Sequence, residues 1–153
     1  IVHFNLGLTY KNLKNFKKAN VHLDSCIFYA KPLSFHQIIP DCHGLKGEIL
    51  FLEKDPSWEA KINKSINYSI TNANVFSELK GYLTFAEFKL ENDDISNSLN
   101  YLQKAKPLIA KTEDPFFEIK YLELAIAIHK KKGDYKNALS LTDLYINPLC
   151  NMI

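Results

Sequence analysis

IVHFNLGLTYKNLKNFKKANVHLDSCIFYA, residues 1–30, contains two helical patterns joined by a short polar turn at Lys14-Asn15. The large and small apolar residues of both patterns recur at three- or four-residue spacing: Val2, Leu6, Tyr10 and Leu13, then Phe16, Ala19, Leu23, Cys26 and Ala30. Small residues at Gly7 and Ala19 allow two helix backbones to approach closely. We therefore predict a helical hairpin in which Leu6, Tyr10, Ala19 and Leu23 are buried together.

This hairpin resembles one tetratricopeptide repeat, whose pattern reads aromatic, Leu-Gly, Tyr, Ala, Phe and Pro at fixed spacing. The corresponding residues here are His3, Leu6-Gly7, Tyr10, Ala19, Leu23 and Pro32. Four of them match in identity and register, whereas His3 and Leu23 depart from the pattern and Pro32 falls one residue late. The resemblance implies an all-α, right-handed solenoid of helix-turn-helix repeats that binds a protein or peptide on its concave face.

Three further hairpins follow, and no segment has a strand signal of comparable strength. We predict one domain over residues 1–153, with eight helices in units of approximately 1–32, 33–74, 75–112 and 113–148. The residues that open the second helices, Phe16, Trp58, Ile95 and Tyr135, are 42, 37 and 40 residues apart. These steps exceed the repeat length of about 34 residues that is typical of the family. The segment 132–139, KGDYKNAL, resembles the same turn and second helix.

Helix boundaries are predicted from caps, glycine and proline. Ser57, Asp93 or Asp94, Asp114 with Pro115, and Asp134 are expected at helix starts, and Gly133 at a helix end. Pro107 predicts a kink or an end near Ala105, and Pro148 an end of the last helix. Residues 33–40 either extend the first hairpin or form a longer loop. Inward positions of the later helices include Phe76, Tyr135, Ala138, Leu139, Thr142 and Ile146.

Composition and charge exclude several classes of partner. The net charge is +2, and all 19 basic residues are lysine, so the planar fork that reads guanine or grips phosphate is absent. No stretch approaches the ~20 apolar residues of a membrane span. We predict no nucleic-acid and no membrane interaction for this segment. The odd count of three cysteines favours a reducing, cytoplasmic location, and an extracytoplasmic sensor region of a membrane-anchored regulator is the alternative.

No catalytic motif is present, so we predict a protein without enzymatic activity, cofactor or metal. His36, Cys42 and His43 are close in sequence but lack the further ligand that a metal site needs. The acidic pairs Asp93-Asp94 and Glu113-Asp114 are interpreted as helix caps.

The remaining candidate is the inner face of the first helix of each hairpin. Under the family resemblance, the groove residues are Phe4, Leu8 and Lys11, then Lys80, Leu83 and Glu87, then Lys120, Glu123 and Ala127. Unit two has two possible registers, aligned on Gly47 or on Trp58, and His43 and Lys46 are its candidates. Family members that grip a carboxylate have Lys and Asn where this chain has Phe4 and Leu8. That end is therefore expected to bind an apolar segment or to be covered by a repeat outside these residues.

We therefore predict a peptide-binding module. The long units and lysine-rich ending resemble regions of bacterial signalling and transcription-regulatory proteins. Because the chain opens inside a helical pattern without a cap, we expect it to belong to a longer protein. Two alternatives are a scaffold that self-associates through its end repeats, giving a homo-oligomer, and an enzyme with an unrecognised helical site.

Overall fold

The computed structural model describes the backbone of residues 1–151 and the side chains of residues 1–145. This part of the chain forms eight helices and no strand, which confirms the all-α class. The helices are α1 (Val2–Asn12), α2 (Phe16–Ala30), α3 (Ile38–Leu52), α4 (Trp58–Thr71), α5 (Val75–Glu91), α6 (Ile95–Thr112), α7 (Pro115–Lys131) and α8 (Tyr135–Asn151). We call α1, α3, α5 and α7 the leading helices and their partners the trailing helices.

The chain divides into two compact units, Ile1–Gly81 and Tyr82–Ile153. In the first unit, α2 packs between α1 and α3, α3 packs on α4, and the leading helices α1 and α3 also meet. In the second unit, α7 packs against both α6 and α8. Neighbouring helices therefore pack in chain order within each unit, as in a helical repeat protein.

A left-handed residue lies in each of the seven connections between helices. Because this conformation ends a helix and turns the chain, it marks the period of the repeat. These residues are Lys14, Ser34, Lys54, Ala73, Asp93, Glu113 and Gly133. They recur every 19 or 20 residues, so one helix pair spans 39 or 40 residues. The chain thus repeats more regularly than the spacing of Phe16, Trp58, Ile95 and Tyr135 predicts.

Polar residues cap the helices at most of the predicted places. The side chain of Asp94 accepts a hydrogen bond from the N–H of Asn97, and Asp134 accepts one from Asn137. Asp114 accepts from the N–H of Phe116 at 2.9 Å, with Pro115 as the first helical residue. These contacts satisfy backbone donors that a helix leaves unpaired in its first turn. One residue of each acidic pair, Asp94 and Asp114, is thus confirmed as a helix cap, whereas Asp93 and Glu113 are the left-handed residues of the connections before them.

The buried stripes of the trailing helices define the repeat register. Ala19, Leu23, Cys26 and Ala30 are buried in α2, and Trp58, Ile62, Ser65 and Ser69 in α4 follow the same spacing. Trp58 therefore corresponds to Ala19, and the alignment with Phe16 that the sequence suggested is wrong. The reason is that α4 begins about one turn later than α2, because the Asp55-Pro56-Ser57 turn occupies the positions of its first residues.

Two glycines resolve the register of the second pair. A Cβ atom at Gly7 would lie 2.8 Å from Cδ2 of Leu23, and one at Gly47 would lie 2.7 Å from Cγ1 of Ile62. Both distances are too short for a real contact, so each glycine is required by close packing of a leading helix on its trailing partner. Because Leu23 and Ile62 correspond, Gly47 corresponds to Gly7.

Burial in the first pair differs in part from the sequence prediction. Ala19 and Leu23 are fully buried and belong to a core cluster with Cys26, Cys42, Leu45 and Ile49. Leu6 and Tyr10 are only half-buried. Gly7, rather than Leu6, faces Leu23 directly, which leaves Leu6 at the edge of the interface.

The predicted end of the last helix at Pro148 is wrong, and of the two outcomes predicted for Pro107, a kink or an end, the helix end does not occur. The helix α6 continues through Pro107 to Thr112, and α8 continues past Pro148 to Asn151. A proline removes one hydrogen bond, and the burial of Leu108 beyond Pro107 favours continuation. Ser57 is at the start of α4 as predicted, but its side chain makes no capping hydrogen bond, because its N–H and hydroxyl both donate to Asp55. Residues 38–40 of the ambiguous segment form the first turn of α3, where a proline is tolerated.

Three predicted inward residues are exposed. Phe76, Tyr135 and Leu139 each expose more than half of their surface. Among the described side chains of α8, residues 135–145, the buried one is Ala138, so this part of the helix packs on α7 along a narrower stripe than predicted. Thr142 is half-buried, and Ile146 lies outside the described side chains.

Candidate binding surface

Oppositely charged side chains connect the leading helices of the first unit. Lys11 of α1 donates to Glu48 of α3 at 2.5 Å, and both side chains are mostly buried. Lys80 of α5 lies 4.0 Å from Asp41 of α3, which also accepts a hydrogen bond from Ser77 at 3.1 Å. The leading helices of the first unit therefore carry side chains of both signs of charge, and these side chains pair between neighbouring leading helices.

The second unit has an equivalent pair. Lys120 of α7 donates to Glu87 of α5 at 2.5 Å. Burial and the neighbouring Glu87 raise the pKa of Glu91, while Lys120 opposes that rise. Lys120 is thus a cation that faces two carboxylates on the adjacent leading helix.

The remaining charged candidate of the second unit, Glu123, accepts a hydrogen bond from the hydroxyl of Tyr145 at 2.9 Å. This hydrogen bond raises the pKa of Tyr145, because ionisation would place a second negative charge beside the carboxylate. Ala127, one turn further along α7, is half-buried and adds a small apolar contact. Leu83 is 3% exposed and belongs to the core of α5, so its side chain offers little surface to a ligand.

The apolar candidates of α1 differ from each other. Phe4 is partly buried against the core cluster of the first unit, whereas Leu8 is 36% exposed. His3, at the aromatic position of the repeat, bonds His22 through the two Nδ1 atoms at 3.1 Å and stacks on Tyr29. The imidazole thus makes the interhelical contacts expected of an aromatic residue.

The candidates from the second pair, His43 and Lys46, are not in the charged pairs of the leading helices. Lys46 donates to Asp24 of α2 at 2.5 Å. His43 is buried, and its Nδ1 has no hydrogen-bond partner among the residues that the structure describes. Once Gly47 is aligned with Gly7, Glu48 takes the place of Leu8.

Burial also controls the titration of His43. Desolvation, with smaller contributions from nearby Lys64, Lys61 and Lys46, lowers the pKa of its imidazole to about 4. Burial likewise raises the pKa of the Cys42 thiol, with a contribution from Cys26. An uncharged buried thiol and a neutral buried imidazole behave as core residues.

Sequence reasoning missed Asp41, Glu48, Ser77 and Glu91, which surround the predicted lysines. A register aligned on Gly47 would have found Glu48. The pairing of Asp41 with Lys80 joins residues 39 positions apart and has no local signal.

No group of three or more His, Cys, Asp or Glu residues within the described range could hold a metal ion. His36 instead lies at the surface, with Nδ1 2.8 Å from the hydroxyl of Tyr68. Within that range no helix is both long and apolar enough to cross a membrane.

The fold and these surfaces define an all-α helical-repeat protein. No protein-family model matches the chain, and none of the curated proteins matches it.

Proposed function

We propose that this chain is a non-enzymatic, tetratricopeptide-like module that binds an extended or helical protein segment on its leading helices. The observation that carries the proposal is that opposite charges pair on the leading helices of each unit by itself, Lys11–Glu48 and Lys80–Asp41 in one unit and Lys120–Glu87 in the other. A polypeptide carries groups of both signs, whereas a nucleic acid would need a continuous basic stripe.

Each unit has a charged pair in which the lysine is exposed enough to bind a ligand carboxylate. Lys80 is half-exposed and only 4.0 Å from Asp41, so a ligand carboxylate can compete for it at small cost. Lys120 is partly exposed beside Glu87. In α1, Leu8 adds an apolar contact next to the mixed charges. Binding to this face is expected to weaken only modestly with salt, because few charges take part.

A peptide array with charge-reversal variants tests the proposal. Lys80→Glu and Lys120→Glu, singly and together, should lose peptides that the wild type binds. Lys17→Glu plus Lys136→Glu is the matched control, since these exposed lysines are the second residues of α2 and α8. If the double variant and this control bind the same peptides as the wild type, the leading-helix face is not the site.

Self-association is a second candidate, favoured by apolar exposure in the first pair. Val2, Phe28, Tyr29, Leu33 and Phe35 each expose more than half of their surface. Several of them line a cavity of about 630 Å³ between α1, α2 and α3. Light scattering over a wide concentration range should then show a dimer that Phe28→Ser weakens and Leu139→Ser does not. A wild type that stays monomeric at every concentration excludes this candidate.

The cellular setting is part of the same proposal. Cys26 and Cys42 are free buried thiols, which a reducing compartment preserves, so we infer a cytoplasmic location. The place in a bacterial signalling or transcription-regulatory protein rests on the sequence resemblance alone. This placement is tested by identifying the partner that the leading-helix face binds and asking whether that partner is a signalling or transcription-regulatory protein.

A further inference from the structure

A groove of about 610 Å³ lies between α2, α3 and α4 in the first unit, away from the charged pairs of the leading helices. Three lysine side chains line it: Lys46 from α3, and Lys61 and Lys64 from α4. The only carboxylate of the lining is Asp24. The groove thus has more positive than negative charge in a chain whose net charge is only +2.

The single carboxylate is already engaged. Asp24 accepts a hydrogen bond from Lys46 at 2.5 Å. Within the described residues, neither Lys61 nor Lys64 has a carboxylate within 4.0 Å. The ammonium groups of Lys61 and Lys64, one turn apart on α4, therefore line the groove without a carboxylate in ion-pair distance among the described residues.

The protein holds these charges together at an energetic cost. Burial lowers the pKa of Lys61, and the ammonium groups of Lys46 and Lys64 lower it further, while the carboxylate of Asp24 partly opposes this change. Like charges on one helix turn destabilise the helix by a few tenths of a kcal/mol. An anion in the groove would remove both the repulsion and part of the desolvation cost.

The first turn of α4 adds a second source of positive potential. Ser57 and Ala60 line the groove. The side chain of Ser57 makes no capping hydrogen bond to α4, and its N–H and hydroxyl both donate to Asp55. Backbone N–H groups and the helix dipole favour an anion at such a position. The lysine ammonium groups and the dipole of α4 therefore both contribute positive potential to the groove.

The lysine cluster is not a general feature of the repeat. In the register defined by the buried stripes, the first pair has Leu6, His22 and Ser25 where the second has Lys46, Lys61 and Lys64. The third pair has Phe85, Tyr101 and Lys104 at these positions. Packing of the repeats does not require three lysines, so a separate role is indicated.

We propose that this groove binds a small organic dianion, a phosphate monoester or a dicarboxylate, through Lys61 and Lys64. Lysine ammonium groups bind such oxyanions as point charges. Leu50 and Ala60 provide an apolar wall for the carbon part of the ligand. The volume of the groove lies in the usual range for small-molecule sites, about 300–1,000 Å³.

Titration followed by amide NMR tests this site with two probes, phenyl phosphate and succinate, against sodium chloride at equal ionic strength. Saturable shifts are expected at the amides of Ser57, Ala60 and Lys61. The probe that saturates at the lower concentration identifies the ligand class. Shifts that grow linearly for both probes, as with sodium chloride, would overturn the proposal.

Charge-removal variants locate the binding. Lys61→Gln plus Lys64→Gln should weaken the better probe about tenfold or more, which corresponds to about 1.4 kcal/mol. Lys17→Gln plus Lys136→Gln removes the same charge elsewhere and should leave affinity unchanged. Replacing Lys61 and Lys64 removes the repulsion between their ammonium groups, so the melting temperature of this double variant should equal or exceed that of the wild type. Equal affinity of the two variants would refute the site.

This site is independent of the peptide-binding proposal. Lys80→Glu, which alters the leading-helix face, should not change the affinity for the small dianion. Each proposal can therefore fail while the other stands.

Discussion

Gly47 in α3 lies so close to Ile62 in α4 that a Cβ atom at residue 47 would be 2.7 Å from Cγ1 of Ile62. Ile62 is fully buried and cannot move aside freely. The same relationship joins Gly7 to Leu23, and a Cβ atom at Gly81 would lie 2.5 Å from Cγ1 of Ile66. Close backbone approach at glycine is therefore a recurring device of the first unit.

Replacing Gly47 by Ala is expected to destabilise the protein by about 1–3 kcal/mol, because the added methyl group overpacks the α3–α4 interface. Gly44→Ala is the matched control on the same helix, since its Cβ atom would meet only Ser65 Oγ at 3.5 Å. There the higher helix propensity of Ala should stabilise by up to about 1 kcal/mol. Urea denaturation of both variants measures the difference, and equal effects would disprove the close contact at Gly47.

Six of the seven left-handed connections use residues other than glycine, which disfavour that conformation. Ala73→Gly should therefore stabilise the protein by about 0.5–1 kcal/mol, since glycine adopts positive φ without steric cost. Gly133→Ala should destabilise it by about 1 kcal/mol for the same reason. Thermal denaturation tests the pair, and shifts of the same sign would contradict the argument.

Leu23 is fully buried beneath Gly7, whereas Leu6 is half-buried. Leu23→Ala should cost about 2–5 kcal/mol, since it leaves a cavity in the core cluster. Leu6→Ala should cost clearly less, because part of its surface already contacts water. Denaturant midpoints of the two variants measure these losses of stability. A larger loss for Leu6→Ala than for Leu23→Ala would show that α1 packs in another register.

His43 makes stability depend on pH in a defined window. Its pKa is about 4 in the folded protein and 6.5 ordinarily, so the unfolded chain binds a proton that the folded protein excludes. The free energy of unfolding should consequently fall as pH is lowered from about 6.5 to about 4. The full shift corresponds to about 3 kcal/mol.

The variant His43→Leu isolates this contribution, because it removes both the titration and the unpaired Nδ1. The difference in unfolding free energy between wild type and variant should change steadily between pH 6.5 and 4 and be constant above pH 7. A difference that is the same at every pH would show that His43 does not titrate as described.

Local signals in the sequence were sufficient to predict the number and order of the helices. Apolar residues at three- and four-residue spacing predicted all eight, and the capping residues Asp94, Asp114 and Asp134 with Gly133 placed several of their ends. These features act over one or two turns, so their energetics are contained in a short segment. Pro148 did not end α8, and Pro107 did not end α6, because a proline removes one backbone hydrogen bond and the rest of the helix can still form.

Only the tertiary structure decided which residues share a face. The left-handed conformation of Lys14, Lys54 and Ala73 has no signature in the residue type, and it is imposed by the helices that meet there. Pairing of Lys11 with Glu48 and the convergence of Lys46 with Lys61 both join different helices, and a shift of one residue in register would separate them. The sequence by itself determined an all-α chain of helix pairs. The charged pairs and the lysine groove are formed by residues on different helices. Their positions therefore depend on which helices pack together and in which register, and no local sequence pattern encodes this.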